Sequence, residues 1–162
     1  RYMMTLMLKK STQSEAPILL EIQQQAFEAD LRMYEDITSS PVNEPLDRLQ
    51  YKIQHYEHFT IWHNTEIIGG IDIRKLPNNH YRLNRIFIAD AYQNNGLGTQ
   101  IMQLIENAFP DARSWTLDTP HLNTRNHHFY EKLGYAKIGE HKISDKLTLF
   151  DYEKIMPIFK ES

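Results

Sequence analysis

Gln93-Asn94-Asn95-Gly96-Leu97-Gly98-Thr99 lies between a predicted strand and a predicted helix, and this placement organises the rest of the chain. The strand, residues 83–89, is indicated by the β-favouring side chains of Ile86, Phe87 and Ile88. The helix is indicated by apolar residues on one helical face before Pro110: Leu97, Ile101, Leu104, Ile105 and Ala108. Glycine permits a positive φ and close ligand approach, and a helix start leaves N–H groups unpaired. The segment is therefore predicted to bind an anion such as a phosphate.

Two common phosphate-binding loops do not fit this segment. A Walker-type loop ends in Gly-Lys-Ser/Thr because the lysine neutralises phosphate charge, whereas Thr99 directly follows Gly98. A dinucleotide-binding loop needs a third small residue where this chain has Ile101. Asp118 does lie near the position of the ribose-binding acid, but residues 90–95 separate the strand from the glycines, which that tight turn does not allow. A nucleotide-binding domain is therefore disfavoured.

Two motifs together carry a resemblance to a known family. Gln93-x-x-Gly96-x-Gly98 resembles Gln/Arg-x-x-Gly-x-Gly/Ala, the acetyl-CoA-binding loop of the GNAT N-acetyltransferase superfamily. Asn123-x-Arg125-Asn126-x-x-Phe129-Tyr130-Glu131-Lys132-x-Gly134-Tyr135 is similar to that family's other signature, with asparagine at position 126 where alanine is usual. A single short glycine pattern is weak evidence, whereas two motifs in the family's order are a strong signal.

The resemblance implies that acetyl-CoA is the donor substrate. Its pyrophosphate would be held by main-chain N–H groups of the segment 93–99, that is Gln93, Asn94, Asn95, Gly96, Leu97, Gly98 and Thr99. Its pantetheine would pair with the strand backbone at Phe87 and Ile88, and Ile88 is the expected donor to the thioester oxygen. Asn123 would contact pantetheine, although an asparagine there can also cap the following helix.

The resemblance also implies direct acetyl transfer to a primary amine, with two candidate catalytic residues. Tyr130 matches the family's tyrosine, which gives a proton or hydrogen bond to the departing thiolate; the alternative is a tyrosine packed beside Phe129. Asp118 lies five positions before Asn123, where some family members carry a general-base glutamate, and the shorter aspartate would act through a water. Its alternative is a turn residue, because Asp118-Thr119-Pro120 is itself typical of a turn.

Length and charge limit the remaining choices. The 162 residues predict one domain, residues 1–162, in which Arg1 and Tyr2 precede the first methionine and are expected to derive from cloning. The 18 basic and 21 acidic residues give a net charge of −3, which argues against nucleic acid or an anionic membrane as a partner. No apolar run reaches membrane-spanning length and the start lacks a signal peptide, so we expect a cytoplasmic protein. Among soluble oligomers, a homodimer is the default expectation.

The sequence does not predict a metal site. It has no cysteine, which excludes disulfides, thiolate ligands and a cysteine nucleophile, so transfer must be direct or use another nucleophile. Of the eight histidines, His127 and His128 are adjacent on a predicted helix and point apart, and His55 and His58 lack an evident third ligand.

The elements alternate along the chain without repeats or linkers. Strands are predicted at residues 3–9, 58–63, 67–75, 80–89, 114–118, 135–141 and 146–153, and helices at residues 14–29, 46–56, 97–109 and 126–133. Residues 31–45 are turn-rich. Ser14 is the expected cap of the first helix, and Gly69-Gly70 indicates a bulge or a close backbone approach. The last helix is expected to turn Leu122, Phe129 and Leu133 inward, with Gly134 in the left-handed conformation after it.

This order, β-α-α-β-β-β-α-β-α-β-β, matches the α/β (mixed α+β) fold of the superfamily. That fold has a mixed, mostly antiparallel central sheet of six to seven strands flanked by about four helices. The predicted function is an acetyl-CoA-dependent N-acetyltransferase. The alternative is a noncatalytic acyl-CoA-binding regulatory module, against which the retention of Tyr130 and Asn123 argues.

The acceptor is predicted only as an amine-bearing small molecule or peptide. Four acids fall where, by resemblance, acceptor-site loops lie: Glu28, Asp30, Glu35 and Asp36. They would either steer a cationic amine or form a solvated face. Tyr34 and Tyr56 would either line the acceptor pocket or belong to the core.

Overall fold

The structure is a computed structural model that describes residues 5–35, 40–93 and 95–157. Its strands are β1 Leu6–Lys10, β2 Glu57–His63, β3 Glu66–Leu76, β4 His80–Ile88, β5 Ser114–Pro120, β6 Ala136–Lys142 and β7 Thr148–Ile155. Its α-helices are α1 Ala16–Tyr34, α2 Leu46–His55, α3 Leu97–Ala108 and α4 Thr124–Lys132.

The seven strands of the described residues form one sheet in the order β1-β2-β3-β4-β5-β7-β6. Every neighbouring pair is antiparallel except β4 with β5, which is parallel. The predicted fold class, a mixed and mostly antiparallel sheet with four helices, is confirmed. In the part of the chain that is described, no helix is both long and apolar enough to cross a membrane.

Helices cover both faces of the sheet and create two apolar layers. On one face, α3 and α4 pack Ile101, Met102, Ile105 and Tyr130 against the strands. On the other face, α1 and α2 pack Leu19, Ile22, Leu49 and Ile53 around Phe87 of β4. The β3 glycines make room for that strand, because a Cβ on Gly69 would collide with the Phe87 carbonyl oxygen and one on Gly70 with its ring. The predicted close backbone approach at this pair is confirmed.

Most predicted elements lie within two residues of their observed ends, but α1 was predicted too short. The helix runs to Tyr34, and Glu35 closes it with a left-handed φ of 52°. The predicted cap was also wrong, because Ser14 lies inside a single 3-10 turn and the Glu15 carboxylate accepts a hydrogen bond from Thr12 N at 3.0 Å. The predicted first residues of β1 and the turn at residues 36–39 lie outside the described residues.

Beneath α2 the sheet holds a network of buried charges. Lys52 of α2, which is 4% exposed, lies 2.9 Å from Glu44 Oε2 and 3.7 Å from Asp72 Oδ2 of β3. Arg74 pairs with Asp72, and Arg85 of β4 pairs with Glu44. Burial raises the pKa of Glu44, but the hydrogen bond from Lys52 and the charge of Arg85 outweigh it and hold that pKa below its ordinary value. The network ties the segment before α2 to the middle of the sheet.

Candidate active site

The parallel strands β4 and β5 pair only at their beginnings and then diverge. Their register comprises His80 with Ser114, Tyr81 with Trp115, and Arg82 with Thr116. Immediately afterwards β4 contains a bulge: Asp72 pairs with Arg85 and Ile73 with Leu83, so the main chain of Asn84 has no pairing position on β3. Asn84 instead donates from Nδ2 to Asp72 Oδ2 at 2.9 Å. The result is a cleft between the second halves of the two strands.

The divergence leaves one edge of β4 unpaired by β5. Ala89 N donates to Ile68 O of β3 at 2.7 Å, and main-chain groups alternate sides along an antiparallel ladder. Ile88 and Ile86 therefore direct their N–H and C=O groups away from β3, on the side where β5 has diverged. Phe87 turns its carbonyl oxygen toward Gly69 on β3, so the geometry favours Ile86 and Ile88, and not Phe87, as main-chain partners of a ligand.

The glycine segment after β4 has the conformation of an anion site. Gly96 adopts a φ of +72° immediately before α3, with open space around its Cα, and contributes no side-chain cap to the helix. The N–H groups of the first α3 turn are thus available to an anion. Gln93 folds back and donates from Nε2 to Ile88 O at 3.0 Å. Ligand binding by Asn95, Leu97 and Thr99 stays a prediction, and Asn94 lies outside the described residues.

Gly98 also has a packing role, besides the ligand-binding role that was predicted for its main chain. A Cβ at this position would lie 2.9 Å from the ring of Phe129 on α4. Real Cβ atoms do not approach other atoms so closely, so glycine here lets α3 and α4 pack together. The two sequence motifs are therefore in direct contact, although Gly98 and Phe129 lie far apart in the chain and neither motif alone indicates the contact.

Helix α4 begins at the cleft, and its first residues are held by side-chain hydrogen bonds. Asn123 Oδ1 accepts from Asn126 N at 3.0 Å, so the predicted capping role of Asn123 is confirmed. Asn126 Nδ2 donates to Thr119 Oγ1 at 3.1 Å, which gives a reason for asparagine where the family usually has alanine: it fastens α4 to β5. Gly134 follows the helix with a φ of +98°, as expected. Leu122, predicted inward, is 58% exposed because it lies before the helix; Tyr130 takes the buried position.

A cavity of about 350 Å³ occupies the cleft. Its walls come from α1, β4, β5 and α4, with Ile143, Leu147 and Leu149 closing one side. Both predicted catalytic residues line it: Asp118 from β5 and Tyr130 from α4. The fold therefore brings the two candidates together at one site, although they belong to different elements.

Tyr130 and Asp118 differ in electrostatic environment. Burial, followed by the negative charge of Asp118, raises the pKa of the Tyr130 phenol to about 12, so the phenol stays protonated at neutral pH. Asp118 accepts a hydrogen bond from Arg82 Nη2 at 2.6 Å, and both side chains remain partly exposed. The sequence had not indicated Arg82 as a partner, because the contact depends on the pairing of β4 with β5.

Asp118 also faces two residues that the sequence analysis did not connect with it. Asp151 is its cross-strand partner on β7, and His141 Nδ1 of β6 lies 3.0 Å from Asp151 Oδ2. One ligand atom from each residue lies within 4.8 Å of the other two, which is compatible with a metal ion. Arg82 already compensates the charge of Asp118, and such clusters are common without an ion.

The remaining histidines named from the sequence have structural partners or surface positions. His58 is buried against the Ser11 hydroxyl at 2.7 Å, and desolvation lowers its pKa to about 4. His127 lies 3.0 Å from Pro120 O and stacks on Phe150, whereas His128 is exposed. His55 lies against Tyr51 on α2.

The candidate acceptor residues divide into two groups. Asp30 and Tyr34 line the cavity, because α1 continues past its predicted end. Glu28 and Glu35 form exposed ion pairs with Arg32 and Lys146, respectively. Neither they nor Tyr56, whose ring lies under Arg74, are among the cavity-lining residues. Asp36 lies outside the described residues.

Residues 19–135 match the model of the acetyltransferase (GNAT) family. The chain belongs to the GNAT family. A curated relative, "Uncharacterized protein YrkN" of Bacillus subtilis (strain 168), is 31% identical over 70 residues, which are 42% of this chain. The matched region spans only 38% of that relative.

Solved GNAT-fold structures align over nearly the whole chain. The PaiA N-acetyltransferase of Thermoplasma acidophilum, in complex with coenzyme A, is 17% identical with a TM-score of 0.74, over 94% of this chain and 100% of that one. The ribosomal-protein-S18-alanine N-acetyltransferase of Escherichia coli is 13% identical with a TM-score of 0.76, over 97% of each chain. At these identities the similarity establishes the fold.

Proposed function

We propose that this protein transfers an acetyl group from acetyl-CoA directly to a primary amine bound in the cleft. The observation that carries the proposal is the cavity that Asp118 and Tyr130 line together with Ile86 of β4, a strand that runs on to Ile88 and from there toward the uncapped start of α3. Membership of the GNAT family supports the same donor.

The main chain would hold the donor. N–H groups of residues 96–99 at the start of α3 suit a pyrophosphate, since they are unpaired and carry the positive end of the helix dipole. The β4 edge at Ile86 and Ile88 suits the amides of pantetheine. The N–H of Ile88 on this edge would stabilise the oxygen of the thioester as it gains negative charge.

Tyr130 would act on the leaving group by donating a hydrogen bond. Its pKa of about 12 exceeds the reference value of about 8.5 for an alkyl thiol, so full proton transfer to a thiolate is uphill. A hydrogen bond from the phenol stabilises the thiolate without that transfer. Because the chain has no cysteine, no cysteinyl intermediate can form, which favours direct attack by the amine.

Asp118 would remove a proton from the amine. An alkylammonium with a reference pKa near 10.4 is deprotonated in only about one molecule in a few thousand at pH 7, so a base at the site is needed. Asp118 lines the cavity, and its pairing with Arg82 holds the side chain in position. Because aspartate is short, we propose that a water carries the proton to it.

Replacement of Asp118 should change the pH dependence of the reaction. In Asp118→Asn only the amine that is already neutral can react, so kcat/KM should fall most near pH 6 to 7. As the pH increases toward the pKa of the amine, kcat/KM of the variant should rise about tenfold per pH unit. The measurement is thiol release across pH, with the fully exposed Asp145→Asn as the matched control. A profile identical to that of the wild type would reject the assignment of Asp118 as the base.

The decisive test of the function combines binding with turnover. Acetyl-CoA at about 100 times its dissociation constant should raise the free energy of unfolding by about 2.7 kcal/mol, whereas NAD at the same concentration should not. A panel of primary amines should then give release of free thiol. Binding without release from any amine would favour the noncatalytic acyl-CoA-binding module, and stabilisation by NAD but not acetyl-CoA would overturn the proposed cofactor.

A further inference from the structure

We propose that the acceptor is a small aliphatic molecule that carries a second positive charge besides the amine to be acetylated, and that Asp30 binds this second charge. The inference rests on the proposed acetyltransfer in the same cavity. It specifies the chemistry of the acceptor, which the donor-binding segment does not contact.

Asp30 reaches the cavity because of where α1 ends. Phe27, Asp30, Leu31 and Tyr34 follow the helical spacing i, i+3, i+4 and i+7, and all four line the cavity. These α1 residues form one wall of the site. Residues of β5 and α4, which carry the proposed chemistry, form other parts of its lining. Asp30 is half-buried in this wall, and burial raises the pKa of its carboxyl group.

Asp30 is the cavity-lining acid that lacks a cationic partner among the described residues. The other charged lining residues are already paired: Asp118 with Arg82 at 2.6 Å, and Arg85 with Glu44. A half-buried carboxylate without a cation gains more from an incoming ammonium group than one on the open surface, because water screens the attraction less. The negative charge of Asp30 therefore remains available to a ligand.

The size and lining of the cavity favour a short aliphatic diamine. A volume of about 350 Å³ falls at the lower end of the range for small-molecule sites. Between the α1 wall and the β5 wall the lining includes Leu31, Leu83, Ile86 and Leu117, whose apolar side chains suit a methylene chain. One end of such a chain would lie at Asp30 and the reacting end near Asp118.

The rival occupant is an amino acid whose carboxylate binds Arg85. The buried network behind Arg85 contains three cations, Lys52, Arg74 and Arg85, against two carboxylates, Glu44 and Asp72. However, Arg85 already donates to Glu44 and to Gln23 Oε1, whereas Asp30 has no described cation. Among the described residues that line the cavity, the unpaired charge is therefore negative, and the acceptor should be positive.

Three acceptors of equal chain length test the inference: 1,5-diaminopentane, pentylamine and 5-aminopentanoate. With acetyl-CoA saturating, wild-type kcat/KM should be about ten- to a hundredfold higher for the diamine than for pentylamine, and lowest for the aminopentanoate. Asp30→Asn should remove this preference by raising the KM for the diamine to about the KM for pentylamine. Asp30→Glu should restore part of it. The matched control is Glu28→Gln, an exposed acid on the same helix that should keep the full preference.

The outcomes separate this inference from the proposed function. Equal kcat/KM for diamine and pentylamine, a preference for 5-aminopentanoate, or an undiminished preference in Asp30→Asn would each overturn the role of Asp30 while thiol release would still support acetyltransfer. Absence of thiol release with the diamine also overturns the inference. Absence of release with every amine of the wider panel overturns the proposed function itself.

Discussion

Tyr130→Phe is expected to lower kcat by about 10²- to 10³-fold while retaining most of the affinity for acetyl-CoA. The estimate is the usual cost of removing one preorganised donor from a developing anion. Tyr130 is 7% exposed and its phenol is held protonated by burial and by the charge of Asp118, so the hydroxyl is a donor throughout the neutral pH range. Phenylalanine keeps the ring and its packing. The loss should therefore appear in turnover, measured as thiol release at saturating donor and acceptor.

Tyr135→Phe provides the matched control for this variant. Tyr135 is also buried, its ring centroid lies 5.7 Å from that of Tyr130, and burial raises its pKa as well. It does not line the cavity. Its variant should turn over at close to the wild-type rate. A wild-type kcat in Tyr130→Phe, with donor binding intact, would show that Tyr130 serves packing alone.

Lys52→Met is expected to destabilise the protein by about 1 to 3 kcal/mol, the usual cost of removing a donor from a buried charged acceptor. Methionine fills much of the same space, so the loss would come from charge. Glu44 and Asp72 would then share the two remaining guanidinium groups of Arg74 and Arg85. The measurement is the urea concentration at the unfolding midpoint, together with the slope of the transition.

Lys10→Met is the surface counterpart of this variant. Lys10 pairs with Glu57 at 2.9 Å, but the two side chains are 57% and 38% exposed. Exposed ion pairs contribute about 0 to 1 kcal/mol, so this variant should be nearly neutral. Equal losses in the two variants, or a loss below about 1 kcal/mol in Lys52→Met, would contradict the view that the buried network holds the segment before α2 against the sheet.

Local patterns predicted the conformation of much of the proposed donor side of the site. The apolar spacing that begins at Leu97 produced α3, Gly96 took the positive φ, and Gly134 closed α4 in the left-handed conformation. Each of these features depends on residues only a few positions away in the sequence, so a short stretch of sequence is enough to predict it. The end of α1 was missed because Ser39, Ser40 and Pro41 suggested an early turn, whereas the helical face continues from Phe27 to Tyr34.

The acceptor side depended on contacts between residues far apart in the chain. Arg82 and Asp118 are 36 positions apart, and Arg85 and Glu44 are 41 apart. These pairings decide which cavity charges are neutralised and leave Asp30 without a described cation. No periodicity encodes them, because they arise from strand pairing and from the bulge at Asn84.

The sequence by itself determined the family, the order of elements and the left-handed glycine before α3, since helix periodicity and glycine conformation are local properties and the two motifs are contiguous. Only the tertiary structure decided that Gly98 packs on Phe129 and that Ile86 and Asp30 line the cavity. The physical reason is that each of these depends on where separate elements meet. The packing of separate elements is set by the burial of side chains from the whole chain. No single segment of sequence carries that information.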